Sequence, residues 1–335
     1  MATESGLRQM IAAQPDTLRA VAGLDISASV ERLRSTRRLY IVGTGTSFHA
    51  AQLGAHLLRS GGLEAEALSS SEFARWRPAV VEGDGVVVIS HTGETAYART
   101  ACSQVVAAGR PLVTITGEQA GWPDAIVTPT KERSETYTVS YTAALGVLGL
   151  LAHALTGVQT GQEALARLAT DVELVISTPD TAQIRVPKRA LALVGPGIWG
   201  VTAREGALKI REAAHILSEG FDSESLLHGA AVPYGGDDTL IAIAAQADVD
   251  GLTAGLLAAA RTEGITTHLF AVPAAGTPDP AGTPVAAVFL AQIQMTVRLQ
   301  LLAAQLAEAQ GADPDHAITG AWAELGLWSA GAPEA

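Results

Sequence analysis

The fold of this chain is decided by the stretch Gly85-Val86-Val87-Val88-Ile89-Ser90-His91-Thr92-Gly93-Glu94-Thr95. Its first five residues are apolar and mostly β-branched, which is typical of a strand buried on both faces of a parallel sheet. The last six form a polar turn, and a helical pattern follows over 96–108. Such a turn directs backbone N–H groups, hydroxyls and the positive end of the helix dipole at one point. The stretch therefore predicts an anion site that suits phosphate; the alternative is that Ser90 and Thr95 only cap the helix.

The same strand–turn–helix unit recurs along the chain. Strands are predicted at 39–42, 86–89, 112–116, 125–127, 191–194, 240–244, 267–270 and 285–289. The first strand recurs after about 152 residues, and the second and third after about 154, as expected after a duplication. Because helices alternate with these strands, the fold class is α/β, with two tandem doubly wound parallel-sheet domains. Ligands of such domains bind at the carboxyl ends of the strands.

Four segments follow from this reading. We expect an N-terminal helix within 1–30 (amphipathic over 3–23), a first domain at 31–176, a second at 188–310 and a C-terminal tail at 311–335 that packs or contributes to the active site. Helix is predicted over 143–175, 201–217, 252–261 and 292–309, and proline-containing loops over 178–187 and 274–284. Trp322 and Trp328, at helical spacing in the tail, are expected to pack.

Composition excludes several classes of partner. The formal net charge of −12 and the lack of a basic patch argue against nucleic acid and anionic membranes. Cys102, the single cysteine, excludes an internal disulfide and a cysteine-based metal site. The N-terminus lacks the layout of a signal peptide, and no apolar run reaches the roughly 18–20 residues that span a bilayer. We expect a cytoplasmic protein.

Two other turns carry hydroxyls. The turn 43–49 lacks the third glycine of a dinucleotide fingerprint, and no acidic residue closes a second strand about 20 residues on, so it does not predict a nicotinamide site. Its hydroxyls at Thr44, Thr46 and Ser47 suit a sugar or a phosphate better. The turn 69–73 has the pattern of a helix N-cap.

Candidate acid–base groups lie in the second half. Glu205, Lys209 and Glu212 are spaced i, i+4, i+7 and so share one helix face. A surface salt-bridge ladder is one explanation. Apolar neighbours favour partial burial instead, which would raise the pKa of a carboxylate and suit it to proton transfer between adjacent carbons. His228 follows in a polar turn, at a spacing that could bring it to the same cleft as Glu212.

Four motifs together resemble those of the SIS (sugar isomerase) family over about residues 30–320. Ser90–Thr95 resembles its Ser-Gln-Ser-Gly-Glu-Thr loop, and Thr44–Ser47 its Cys-Gly-Thr-Ser turn. Gly206–Glu212 resembles its Gly-Ala-Leu-Lys-Leu-Lys-Glu helix, and Ser225–Ala230 its Glu-Leu-Lys-His-Gly-Pro segment. The likeness is to the isomerase half of glucosamine-6-phosphate synthase and to its stand-alone deaminase and deglycase relatives.

The resemblance implies two flavodoxin-like SIS domains, a sugar-phosphate substrate and a homodimer with shared active sites. Ser90, Thr92 and Thr95 would hold phosphate oxygens, and His91 would replace the family's Gln as a donor or, if cationic, a charge. Ser47 would contact the ligand. Further roles implied are Glu212 as the proton-transfer base, Lys209 beside it, and His228 in ring opening at the neighbouring subunit's site. Neither a metal nor an organic cofactor is implied.

Three departures shape the expected activity. The family's C-terminal lysine, which forms a Schiff base, has no counterpart in 313–322. Glu135 and Tyr137 are bulkier than the family's residues, and Glu135 could contact a substrate amine. No glutamine amidotransferase domain is expected. These features favour isomerisation coupled to amine release from an aminosugar or fructosamine 6-phosphate. A simple aldose–ketose isomerase and a non-catalytic sugar-phosphate-binding regulator are the alternatives.

Overall fold

The structure is a computed structural model that describes residues 4–76, 79–244, 251–271 and 284–327. The chain divides into two compact units. The five-strand unit comprises Ala12–Arg133, Tyr137–Glu173 and Ile318–Ala335. The four-strand unit comprises Met1–Ile11, Ser134–Thr136 and Leu174–Ala317. Each unit is named for its sheet.

The strands are β1 (Arg38–Gly43), β2 (Glu64–Ser69), β3 (Asp84–Ile89), β4 (Leu112–Thr116), β5 (Ile126–Val127), β6 (Ala190–Gly195), β7 (Leu217–Asp222), β8 (Thr239–Ala244) and β9 (Thr266–Ala271). The helices are α1 (Gly6–Ala12), α2 (Gln14–Ala22), α3 (Ser27–Leu33), α4 (Thr46–Ser60), α5 (Ser70–Arg75), α6 (Ala96–Ala107), α7 (Val139–Thr156), α8 (Gln162–Ser177), α9 (Trp199–Ala214), α10 (Ser223–Ser225), α11 (Leu252–Thr262), α12 (Val285–Gln310) and α13 (Ala321–Glu324).

The five-strand unit is built on a parallel sheet of order β2-β1-β3-β4-β5. The central strand β3 is buried along its whole length, as its run of β-branched residues predicts. From β1 the chain crosses to β2 on one side and later returns to β3 on the other. The gap between β1 and β3 is therefore the switch point where open α/β sheets bind ligands.

The four-strand unit has a parallel sheet of order β7-β6-β8-β9. Its strand β6 is buried throughout. Helix α9 lies close to β7, because a Cβ atom on Gly220 would come within 2.3 Å of the backbone nitrogen of Arg204. The same helix packs closely on α12, because a Cβ on Gly206 would lie 2.5 Å from a methyl of Leu299.

The α/β class with two parallel sheets is confirmed. Strands β2 and β7 were not predicted, because their charged and polar residues interrupt the apolar pattern on which the prediction relied. The predicted strand at 285–289 is wrong, since these residues open the 26-residue helix α12. A short apolar run does not distinguish a strand from a buried helix.

Two helical predictions need correction. The single N-terminal helix over 3–23 is in fact α1 and α2, and Pro15 lies at the start of the second. The helix over 143–175 is α7 and α8, separated after Gly157, which has a φ of +81°. Most of the loop 274–284 lies outside the described residues, as does Trp328.

Two helices, α7 and α12, are long and apolar enough to cross a bilayer by length and composition alone. The expectation that no run reaches this length was therefore wrong. In each helix most of the apolar window is buried inside the protein, 78% and 61% respectively. Burial on nearly all sides is typical of a helix in a protein core.

Candidate functional site

Three strand ends meet at the switch point of the five-strand unit. Gly43 at the end of β1 is paired with Ser69 at the end of β2. On the other side, Val42 of β1 is paired with Val88 of β3. The turns that follow β1 and β3 therefore leave the sheet at the same edge and from adjacent strands. This edge is the candidate binding site of the unit.

The turn after β1 brings the chain directly from strand to helix. A Cβ atom on Gly43 would lie 2.5 Å from the backbone of Ser47, so only glycine permits this close return. Gly45 has a φ of +56° and precedes α4, which has no side-chain cap. Thr44 is exposed, and Thr46 and Ser47 are partly exposed. The first turn of α4 thus carries hydroxyls and has no side-chain cap, and the N–H groups of Ser47 and Phe48 donate to the carbonyls of Thr44 and Gly45 at 3.1 and 2.9 Å. Its hydroxyls are the groups that this turn offers to a sugar or a phosphate.

The turn after β3 has the same character. Ser90 is buried, and its N–H donates to the carbonyl of Ile115 at 3.0 Å. Gly93 has a φ of +72°, and the Glu94 N–H donates to the Thr92 hydroxyl at 3.2 Å. Thr95 occupies the N-cap position of α6, yet its side chain makes no capping hydrogen bond. This weakens the interpretation of the turn as a helix cap alone.

His91 lies in a tight setting behind this turn. Its ring meets that of Tyr137 edge to face, with 5.5 Å between centroids. A Cβ on Gly117 would lie 2.6 Å from the imidazole Cε1. Burial lowers the pKa of His91 to about 4, so the ring is neutral at pH 7. His91 can therefore offer a neutral donor or acceptor, and the charge considered from the sequence is not available.

The His91 Nε2 atom is buried and has no hydrogen-bond partner within the described residues. The sequence did not single out Gly117, whose missing side chain makes room for the ring.

Ser69, at the neighbouring strand end, accepts from the Glu72 N–H at 3.2 Å and caps α5 as its pattern predicts.

The charged cluster of α9 lies in the four-strand unit. Lys209 Nζ lies 2.5 Å from Glu212 Oε2 and 3.6 Å from Glu205 Oε1. The side chains of Glu205 and Lys209 are no more than 1% exposed, whereas that of Glu212 is 22% exposed. The surface-ladder explanation is therefore wrong: one buried ammonium joins a buried carboxylate to an accessible one.

Burial raises the pKa of Glu212, and the Lys209 ammonium partly opposes this effect. A carboxyl group with a raised pKa exchanges protons closer to neutrality than an ordinary glutamate. Glu212 is thus the group of this cluster that combines access with a perturbed pKa. In an unassigned protein that combination marks a candidate functional residue.

His228 lies in a five-residue turn of π-helix, Leu226–Ala230. Its φ and ψ of −85° and 41° are not helical, and Gly229 follows with a φ of +111°. The side chain is exposed. Among the described residues, no hydrogen bond or ion pair joins His228 to Glu212 or Lys209.

Glu135 is exposed on a short segment that is fixed to the C-terminal part of the four-strand unit. Its N–H donates to the Asp315 carbonyl at 3.2 Å. The Asp315 carboxylate accepts from the N–H groups of Gly6 and Leu7, at 2.6 and 2.7 Å, and so caps α1. The sequence did not reveal this anchor, because its two ends are about 309 residues apart.

A histidine–carboxylate pair flanks Asp315 in the C-terminal part of the four-strand unit. His316 Nδ1 and Asp313 Oδ2 are 2.7 Å apart, and this hydrogen bond raises the pKa of His316. The residues that the structure describes contain no group of three or more His, Cys, Asp or Glu that could hold a metal ion.

Comparison with known proteins finds a matching family model and several relatives. Residues 32–154 match the model of the SIS domain family. The glutamine–fructose-6-phosphate aminotransferase [isomerizing] of Lactiplantibacillus plantarum is 30% identical over 251 residues, which cover 66% of this chain and 40% of that protein. The protein of the same name from Gloeobacter violaceus is 27% identical over 325 residues, covering 89% of this chain and 53% of its own. The chain thus spans about half or less of these relatives.

Solved structures share the fold. The C-terminal domain of glucosamine-fructose-6-phosphate aminotransferase from Francisella tularensis has a TM-score of 0.75 at 21% identity, covering 94% of this chain and 99% of that one. Glucosamine-6-phosphate deaminase from Thermotoga maritima has a TM-score of 0.73 at 20% identity, with 93% and 97% covered. Tagatose-6-phosphate ketose/aldose isomerase from Escherichia coli has a TM-score of 0.75 at 15% identity, with 94% and 96% covered.

The family match covers the first of the two domains expected from the sequence, and the tandem repeat stays a prediction. Residues 32–154 contain a SIS domain, and the chain is homologous to part of the isomerizing glutamine–fructose-6-phosphate aminotransferases.

Proposed function

We propose that this protein is an enzyme that isomerises an aminosugar 6-phosphate or fructosamine 6-phosphate and releases its amine. The observation that carries the proposal is the pair of hydroxyl-bearing turns at the switch point of the five-strand unit. A phosphate held there would accept hydrogen bonds from Ser90, Thr92 and Thr95 and from the uncapped start of α6. Thr44, Thr46 and Ser47 of the neighbouring turn would contact the sugar or its phosphate.

The proton-transfer step is assigned to Glu212. In an open-chain 2-amino aldose, its carboxylate would take the proton from C2 and return one to C1, passing through an enolamine. The resulting C2 imine adds one water and loses the amine, which leaves a ketose phosphate. The step is balanced by substrate and water alone. The raised pKa of Glu212 and its contact with Lys209 support this role.

Two further residues complete the proposal. His228, which is exposed on its glycine-bounded turn, would assist ring opening. Glu135, an exposed carboxylate, would attract the substrate amine. As in the family that the chain resembles, we propose a homodimer with shared sites.

Release is favoured over synthesis because residues 313–322, which resemble the family's lysine-bearing stretch, contain no lysine that could form the Schiff base used in synthesis. A simple ketose/aldose isomerisation would use the same Glu212 step and differs only in the substituent at C2. Simple isomerisation is the second candidate function because this chain shares its fold with a tagatose-6-phosphate ketose/aldose isomerase. A non-catalytic regulator would bind the same ligand without turnover.

The test is an assay across aminosugar and fructosamine 6-phosphates that measures the released amine together with the sugar phosphate formed, a ketose from a 2-amino aldose and an aldose from a fructosamine. Amine release in step with formation of that sugar phosphate supports the proposal. Interconversion without amine release supports the simple isomerase. Tight binding with no turnover of any member of the panel contradicts an enzymatic role.

A further inference from the structure

The five-strand unit also has a polar cleft, which lies at the opposite edge of the sheet from the hydroxyl-bearing turns. It has a volume of about 360 Å³. Its walls come from the residues that enter three adjacent strands: Arg37 before β1, the segment 82–84 at the start of β3, and Arg110 before β4. Clefts of this volume hold small-molecule ligands.

Two arginines line the cleft, and they differ in the hydrogen bonds that their guanidinium groups make. Arg37 donates from its backbone N–H to the Gly83 carbonyl at 2.7 Å and from Nη2 to the Glu82 carbonyl at 3.3 Å. The guanidinium of Arg110 makes no hydrogen bond or ion pair with the residues that the structure describes, although its Nε is buried. A buried donor without a partner is costly, so the hydrogen-bonding capacity of Arg110 is not met by the described residues.

Two carboxylates lie near these arginines, and the charge of Arg110 contributes to the lowered pKa of one of them, Asp84. Asp84 is fully engaged, because both of its oxygens accept from the Arg38 guanidinium at 2.9 Å and one also accepts from the Val81 N–H. Glu82 is exposed at the rim and is the remaining negative group. The residues that line the cleft thus include two arginines and two carboxylates, and one of these carboxylates, Asp84, is already paired with Arg38.

The backbone of the cleft is also shaped around its arginines. Gly83 has a φ of +90°, and a Cβ at this position would lie 2.6 Å from Arg37 Nε. The positive φ favours glycine here, and the missing Cβ leaves room for the guanidinium of Arg37.

We propose that this cleft binds the phosphate group of a small phosphorylated metabolite, at a site separate from the turns at 44–47 and 90–95. The planar guanidiniums of Arg37 and Arg110 match phosphate oxygens in geometry and charge. Because the cleft lies at the opposite edge of the sheet, such a ligand is not the substrate and acts as an effector or a second ligand.

The test measures binding by calorimetry on the full chain carrying Ser90→Ala and Thr92→Ala, which weakens the first site. The probes are inorganic phosphate, adenosine 5′-monophosphate and glucose 6-phosphate, and their order of affinity distinguishes the bare group, a nucleotide and a sugar. We expect residual binding of at least one probe. Adding Arg110→Gln should weaken that binding at least fivefold, and Arg37→Gln should do the same.

The matched control is Arg34→Gln, which removes the same charge from the same basic stretch. Arg34 pairs with Glu31 on the surface and does not line the cleft. Absence of residual binding, or equal losses from Arg110→Gln and Arg34→Gln, would overturn the proposal. Should Arg110→Gln not fold, as judged by its circular dichroism, the exposed Arg37 carries the same comparison.

Discussion

At the scale of single residues, the account depends on Glu212 as the base. The variant Glu212→Gln keeps the shape of the side chain but cannot accept a proton. We expect kcat to fall by about 10²- to 10⁴-fold, the usual contribution of a general base. Binding of the sugar phosphate should stay unchanged in calorimetry. The control Glu263→Gln removes an exposed carboxylate at the end of α11 and should keep wild-type kcat.

The pH dependence of the wild type follows from the same residue. Only the carboxylate form accepts a proton, so kcat should decrease as the pH falls through the pKa of Glu212, which burial raises above its usual value.

For the Glu212→Gln variant, a kcat within a few-fold of the wild-type value would show that this residue is not the base.

His91 gives a second prediction at this scale, on stability. Its pKa of about 4 in the folded protein lies below the value of 6.5 in the unfolded chain. The unfolded state therefore gains protons first, and stability is lost as the pH falls from 6.5 towards 4. The loss from this residue amounts to as much as about 3 kcal/mol.

Urea unfolding at pH 7 and pH 4.5 measures this loss. The variant His91→Gln cannot titrate and should lose less free energy of unfolding between the two pH values than the wild type. Equal losses in the two proteins would show that His91 does not titrate as its burial implies.

At the scale of elements, the close approach of β7 to α9 can be tested at Gly220. A Cβ there would lie 2.3 to 2.4 Å from backbone atoms of α9, so strand or helix must shift. We expect Gly220→Ala to lower the free energy of unfolding by at least about 1–3 kcal/mol. The control is Gly255→Ala on α11, where a Cβ meets nothing within 4 Å; it should stabilise the helix by about 0.5–1 kcal/mol.

Denaturant midpoints of the two alanine variants give the comparison. If Gly220→Ala were as stable as the wild type, the packing of β7 on α9 described above would be incorrect.

Elements also show how far the sequence determines the structure. The buried strands β1, β3 and β6 are largely apolar runs, and β4 alternates apolar residues with threonines. All four were predicted to within two residues of their ends. Strands β2 and β7 form the edges of their sheets and carry charges, so their apolar pattern is incomplete. The start of α12 was assigned to a strand because a short apolar run has no visible period.

The candidate site was predictable to the same extent. The hydroxyls of the turns are local features and could be read from the sequence. The neutrality of His91 could not, because it results from burial beside Tyr137 and Gly117, which are distant in the chain. The burial of Glu205 and Lys209 was suggested by apolar neighbours, and the structure shows it to be complete.

At the scale of the whole molecule, the proposal assigns phosphate binding to the sheet edge of the five-strand unit and proton transfer to the buried cluster of the four-strand unit. Neither feature alone distinguishes an amine-releasing enzyme from a binding protein. The central claim is that the turn at 90–95 binds the phosphate of the substrate. This claim is central because every assigned role presupposes that ligand.

The most direct test of that claim is the calorimetric affinity of glucosamine 6-phosphate for proteins with the wild-type loop, Ser90→Ala, Thr92→Ala and the control Thr262→Ala, whose exposed hydroxyl lies on α11. All four carry Glu212→Gln, so that the ligand is not consumed. Each loop variant should lose about 1–2 kcal/mol of binding free energy, or roughly 5- to 30-fold in affinity, because a charge-assisted hydrogen bond is removed. Thr262→Ala should bind as the wild type does, and unphosphorylated glucosamine should bind far more weakly to all four proteins. Wild-type affinity in both loop variants, or equal affinity for the unphosphorylated sugar, would contradict the account.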